Sequence, residues 1–298
     1  MLYEKTGTDK VVDVFLYIFF VLFSLICLFP FYFVLINTIS DNTLVQQSKI
    51  LFFPVGIHFQ NYVQIFKLTG IFNAAFMSLS RTVLGTALTV VSSSFLGYAM
   101  TKNEFWLRKF WYRYIIITMY FSAGLIPLFM TIRSFGLLNN FLVYILPGMV
   151  GPFYVILIKT FIESIPPSLE ESVEIDGAGY LKRFLYLMVP LMKPILATVA
   201  IFTAVDQWNA FIDTVIYANK PSLYTLQFIL NRYLNELQAL AELIRRSPDL
   251  ASERVGQSLT PVAIRYTVTA VVVAPILLVY PFFQRFFVKG IMLGAVKG

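Results

Sequence analysis

At 298 residues with a formal net charge of +7, the chain is 58% hydrophobic and only 13% charged, with 30 Phe, 17 Tyr and a mean hydropathy of +0.75. Such a balance lies far outside that of soluble domains, so the chain is read as an integral membrane protein, all-α because a bilayer leaves an open chain no other way to satisfy its backbone. The single Cys and single His, Cys27 and His58, exclude a disulfide framework, a thiolate metal centre and a His-based acyl-transfer site within one chain.

A spanning helix needs about 20 mainly apolar residues, and six stretches qualify. They are Val14–Ile36, Phe72–Met100, Phe110–Ile132, Phe141–Ile165, Ile195–Tyr217 and Tyr266–Phe287. This divides the chain into an N-terminal segment 1–13, a membrane domain 14–288 and a tail 289–298. The first run is too long for a signal-peptide core and no A-x-A-like site follows it, so it is expected to remain as anchor and span. Between spans one and two, FFPVGIHFQNYVQIF joins helix breakers to interfacial aromatics, and GLLNN, Gly136–Asn140, predicts a tight turn between spans three and four.

Basic residues near the span ends set the orientation. One side carries thirteen: Lys5, Lys10, Lys102, Arg108, Lys109, Arg113, Lys159, Lys182, Arg183, Lys193, Arg285, Lys289 and Lys297. The short loops of the other side carry only Lys49, Lys67 and Arg133, so both termini are expected in the cytoplasm. The net positive charge is thereby accounted for by anchoring and anionic lipid, and no nucleic-acid role is assigned.

Between spans four and five the apolar pattern is interrupted by SLEESVEIDGAGYLKRFLYLMVPLMKP, Ser168–Pro194. Pro166 and Pro167 stop the preceding span, and Ser168 with Glu171 three residues on reads as a capping box. Glu170, Glu171 and Glu174 suit the first turns of a short helix, Leu169 and Val173 share one face, and Gly177 closes it. A second helical piece, Tyr180–Met188, then leads to Pro190 and Pro194. On its residues alone this pair of helices is either an ordinary connection or a functional element.

Within the spans, Arg81 is costly in lipid and must face protein or water, either in a structural pair or in a transport role. Asp206, Gln207, Trp208 and Asn209 form a polar group in the fifth span, and Asp206, Trp208 and Asn209 are assigned to a substrate pathway. In the outward loop 218–261, LYTLQFILNRYLNELQALAELIRR repeats apolar residues at helical spacing. That predicts an amphipathic helix, lying on the headgroups or serving as a docking or lid element. No G-x-x-x-x-G-K-[ST] occurs, so ATP, if used, is bound by another chain; no cofactor is expected, and too few intramembrane titratable groups exist for an enzyme.

ESVEIDGA at Glu171–Ala178, followed by VPLMKP at Val189–Pro194, closely resembles the cytoplasmic loop signature of binding-protein-dependent ABC importer permeases, with Ser172 and Val173 in place of two alanines and Val189 in place of a leucine. GLLNN, the run Phe161–Glu171, DQWN at Asp206–Asn209, YTLQ at Tyr224–Gln227 and the closing YPFFQRFFVKGIMLGAVKG resemble the carbohydrate-uptake, maltose-permease-like branch, most of all members handling oligosaccharides from complex polysaccharides. The resemblance implies six spans, a cytoplasmic coupling helix within the loop 166–194, and a place in a bacterial inner membrane. It implies four partners: a homologous second permease, two cytoplasmic ATPase subunits and an extracytoplasmic solute-binding protein. Glu170, Glu171, Val173, Asp176, Gly177 and Ala178 would then contact the ATPase, the acids meeting basic groups on it, and Gly294–Gly298 would reach the same pair. Open alternatives are a permease for an amino acid or phosphate, and a membrane scaffold without transport.

Overall fold

The computed structural model describes residues 7–67, 70–246 and 262–278. All regular structure among them is helical: α1 Gly7–Thr38, α2 Asn42–Gln46, α3 Gln60–Lys67, α4 Ile71–Ala99, α5 Arg108–Tyr120, α6 Leu125–Ser134, α7 Pro152–Glu163, α8 Ser168–Ile175, α9 Tyr180–Leu191, α10 Lys193–Asn209, α11 Ile212–Tyr217, α12 Leu226–Arg246 and α13 Val262–Leu278. The chain forms two compact units, residues 1–68 with 233–273 and residues 69–232 with 274–298.

In the first unit the 29-residue stretch Lys10–Thr38 of α1 is long and apolar enough to cross a membrane, and it exposes Val, Phe, Leu and Ile on all sides. A helix apolar all round belongs in lipid. Its C-terminal end is held by polar groups instead: the Tyr62 and Thr38 hydroxyls are 2.8 Å apart, and the Asn61 amide donates to the Thr38 carbonyl at 2.9 Å. Asp41 caps α2 by accepting from the Thr43 hydroxyl and from the backbone N–H groups of Leu44 and Thr43, and these bonds lower its carboxyl below the ordinary value.

In the second unit α4, also 29 residues, is the axis. Ser78, Gly85, Thr89, Ser93 and Gly97 line its buried face at spacings of about one or two turns, while Phe72, Phe76, Leu79, Val83 and Phe95 are exposed. This inverts the pattern of a soluble helix and permits close packing on α7 and α10. A Cβ on Gly97 would stand 3.0 Å from Ile158 and 3.3 Å from the Lys159 backbone nitrogen, so a larger residue there would push α7 away by a few tenths of an ångström.

The third, fourth and fifth expected spans are interrupted, and local chemistry explains the first two of these breaks. The third divides into α5 and α6, bent by 120° across Phe121–Gly124, where Ser122, Gly124 and Pro127 weaken the helix. The fourth is a 3₁₀ turn at Phe141–Tyr144, an irregular stretch through Pro147, Gly148 and Gly151, and then the 12 residues of α7 opened by Pro152. The fifth stops at Asn209 and resumes at Ile212. Ahead of it, α9 does not end at Met188 but runs through Pro190 to Leu191, a π turn at Arg183–Met188 shifting the ladder before the ring that lacks an N–H, and then bends by 79° into α10.

Among the described residues, two helices are therefore long and apolar enough to cross a membrane, or four if each bent pair is one crossing. Residues 1–6 and 279–298, which hold part of the N-terminal segment, the end of the sixth span and the tail, lie outside the described residues, as do 247–261 of the outward loop. The expected helix in that loop is present as α12, and the GLLNN turn is formed with Gly136 and Asn139 at positive φ.

Candidate functional site

The polar interruption folds as a short helix docked on the end of α4. Helix α8 begins one residue earlier than its spelling suggests: Ser168 is the first helical residue, Pro167 occupies the cap position at φ −63°, and no side chain caps the helix, so the expected capping box does not form. The proline ring already holds the dihedral that opens a helix, which displaces the serine inward. The other end is as expected. Gly177 has φ +78°, its N–H donates to the Glu174 carbonyl at 2.9 Å, and the Ala178 N–H donates to the Val173 carbonyl at 3.2 Å. This paired arrangement requires a left-handed residue at Gly177.

Glu170 turns inward. Its carboxylate accepts from the Tyr98 hydroxyl at 2.7 Å, pairs with the Lys102 ammonium, and stands 3.8 Å from Arg183. Arg183, 5% exposed, pairs with Glu174 at 2.7 Å and stacks on the Tyr180 ring. Glu170 and Glu174 thus fasten α8 to α4 and α9 within the chain; of the two, the sequence reading had assigned Glu170 to contact with the ATPase. Glu171, Asp176 and Gly177 are exposed, and Val173 and Ala178 are half-buried. The most prominent apolar side chain is Ile175, 86% exposed at the helix end, which sequence reasoning passed over; its signal was an aliphatic residue between two acids.

A second polar group surrounds the break between α10 and α11. Arg81, 2% exposed, lies on the Tyr144 ring and uses every N–H it has. Two donate to Gln207 Oε1 at 3.2 and 3.1 Å, one to the Ala210 carbonyl at 3.1 Å, and two to Asp213 at 3.1 and 2.5 Å. The structural pairing of Arg81 is thereby found, with Asp213 as its partner. The group borders a cavity of about 370 Å³ whose lining includes Tyr154, Thr203, Asp206 and Gln207. The Tyr154 hydroxyl donates to Asp206 at 3.0 Å. Trp208, half-buried, and the exposed Asn209 share that turn of α10 but lie outside this cavity's lining.

Sequence reasoning missed Tyr154, Tyr144 and Asp213. Asp213 was legible as an acid seven residues beyond Asp206 in an apolar run; the tyrosines carry no such mark among 17. Chemically, a phenol, a carboxylate, a hydroxyl and an amide around one cavity can hydrogen-bond a polyhydroxylated solute, and the tyrosine rings offer flat apolar faces.

An axial helix packed through small residues, with broken helices meeting at a polar cavity and a short helix fastened to its end, is the architecture of a membrane transport component. The family model for the inner membrane component of binding-protein-dependent transport systems matches residues 90–293, and the chain belongs to this family. Its members are transport rather than catalytic subunits. The chain is 32% identical over 290 residues, 97% of its own length and 99% of the relative's, to the polygalacturonan/rhamnogalacturonan transport system permease protein YtcP of Bacillus subtilis strain 168. It is 31% identical to protein LplC of the same organism, covering 99% and 98% of the two chains. Among solved structures, a bacterial ABC transporter that imports the acidic polysaccharide alginate contains a chain matching at a TM-score of 0.81 and 25% identity, over 95% of this chain and 99% of that one.

Proposed function

We propose that this chain forms half of the membrane gate of an ABC importer for an oligosaccharide released from a complex polysaccharide, and that it converts ATP hydrolysis on partner subunits into uptake. The observation that carries this reading is the nearly end-to-end similarity to polygalacturonan/rhamnogalacturonan and arabinooligosaccharide permeases, at 97% and 99% of this chain. Each bent helix pair counts as one crossing, and α7 and α13 supply the fourth and sixth, for six spans with both termini in the cytoplasm and α8 on the cytoplasmic face. The partners are a sister permease, two ATPase subunits and an extracytoplasmic solute-binding protein.

On this reading α8 is the coupling helix. Ile175 and Leu169 enter a groove on the ATPase, while Glu170 passes the load to Tyr98 and Lys102 at the end of α4. From Tyr98 to Arg81 is 17 residues, about 26 Å of helix at 1.5 Å per residue, so α4 reaches from the coupling helix to the cavity as one rigid bar. Asp206, with Trp208 and Asn209 on the same turn, belongs to the sugar path.

The test is to purify the tagged chain with its partners and reconstitute it in vesicles with the solute-binding protein. A sister permease and an ATPase should copurify, and pectin-derived oligosaccharides should be taken up with ATP. Ile175→Glu, at an exposed position, should abolish uptake and solute-stimulated hydrolysis while the spans insert normally. Uptake at the wild-type rate in Ile175→Glu would remove α8 from the mechanism, and absence of any ATPase partner would remove the importer reading itself.

A further inference from the structure

We infer that the α4–α5 corner is a binding site for one anionic phospholipid, with its headgroup held by Arg108, Lys109 and Arg113 and an acyl chain lying in the neighbouring apolar groove. The inference rests on the proposed orientation, which puts this corner at the cytoplasmic leaflet.

Two adjoining concavities share Phe105. One, of about 510 Å³, is lined by Arg108, Lys109 and Arg113 with Phe105 and Phe110. None of these three cations forms an ion pair among the described residues. Arg108 is held in place by donating to the Thr101 carbonyl at 3.1 Å, and Lys109 and Arg113 follow one turn apart on α5. The other, of about 390 Å³, is walled by Phe95, Tyr98, Phe105, Leu181 and Phe184 and is almost wholly apolar. Lys102 at its edge is already paired with Glu170, so uncommitted positive charge lies on the α5 side only. No acid lines the basic cleft, and Glu104 borders the apolar groove instead.

A cationic cleft continuous with an apolar groove matches an amphiphile that is anionic at one end. Basic pockets beside cytoplasmic helix ends select such headgroups. Trp106, 73% exposed, with Trp111 and Tyr114, marks the depth at which ring and headgroup meet. A soluble anion would leave the apolar groove uncovered, and an apolar protein segment would leave three cations unpaired.

The probe is phosphatidylglycerol against phosphatidylcholine, offered to the purified complex and read by native mass spectrometry and by quenching of indole fluorescence with bromine-labelled acyl chains. Wild type should retain phosphatidylglycerol preferentially and show quenching by it. Each basic side chain at such a surface is worth about fivefold in affinity, so Lys109→Gln with Arg113→Gln should weaken phosphatidylglycerol roughly 25-fold and leave phosphatidylcholine unchanged. An unaltered melting temperature establishes that the variant is folded. Equal retention of the two lipids by wild type, unchanged phosphatidylglycerol binding in the double variant, or crosslinks from Lys109 to a sister subunit covering the groove would each overturn the assignment. Lipid retention is read without transport, so a failed uptake assay tests the importer reading and leaves this one standing.

Discussion

Arg81 and Asp213 offer the sharpest test of how the broken fifth span is held. The guanidinium is 2% exposed and the carboxylate 24%, and Arg81→Leu removes all five donors at once, leaving Asp213 without a cation and Gln207 and the Ala210 carbonyl without their partner. Breaking a buried pair from one side costs about 3 to 5 kcal/mol, and the partial exposure of Asp213 sets the expectation near the lower end. At about 2 °C per kcal/mol for a chain of this size, the melting temperature should fall by roughly 6 °C. Replacing both partners, Arg81→Leu with Asp213→Leu, removes the uncompensated charge and should recover at least half of that loss, since apolar replacements of buried ion pairs are often neutral. Arg81→Lys keeps the charge but loses the planar fork and should fall between the two. The assay is thermal unfolding of the purified complex in lipid nanodiscs. If the double variant melts no higher than Arg81→Leu, the pair is not what holds α11 to α4.

Two further predictions concern the candidate site. A Cβ on Gly177 meets nothing within 4 Å, yet its φ is +78°, so Gly177→Asn, which tolerates that region, should keep α8 helical while Gly177→Leu should not; circular dichroism of the helix together with ATPase copurification distinguishes local strain from a blocked partner surface, and equal behaviour of the two variants would refute the strain argument. Tyr154→Phe removes one hydroxyl bonded to Asp206 and Asp206→Asn removes the charge; if these groups line the sugar path, each should lower uptake severalfold with normal assembly, whereas unchanged uptake in both would separate this cavity from transport.

Composition and run length identified the membrane class, and the spelling of Glu171–Ala178 identified the family, because both are local properties of the sequence. What stayed hidden was the continuity of the spans. Ile195–Tyr217 reads as 23 unbroken apolar-to-polar residues, and nothing in Ala210–Phe211 spells a break. The break exists because Arg81, 129 positions earlier, takes the carbonyl of Ala210, a tertiary event with no local signature. The stripe of small residues on α4 was legible at its four-residue spacing, but its partners α7 and α10 were not, since interfaces in lipid are set by shape rather than by apolar contrast. Likewise Glu170 and Glu171 are neighbours of identical chemistry, and only the position of Tyr98 and Lys102 decides that the first is fastened inward and the second exposed.

The two fastenings on α4 also restrict where the molecule can bend. At one end Glu170 ties α8 to Tyr98 and Lys102; near the middle Arg81 ties α11. If α8 is the coupling helix proposed above, a push on it moves α4 and α11 together, and relative motion falls where the helical ladder is already interrupted, at the bend between Leu191 and Lys193 and at Ala210–Phe211. Helix α10, which carries Asp206, lies between those two interruptions. On this account the Arg81–Asp213 pair has a mechanical role separable from its contribution to stability. The doubly apolar variant, stable but without a directional clasp, should assemble and hydrolyse ATP yet lose the coupling of hydrolysis to uptake; full coupling in that variant would mean that α11 follows α4 by packing alone.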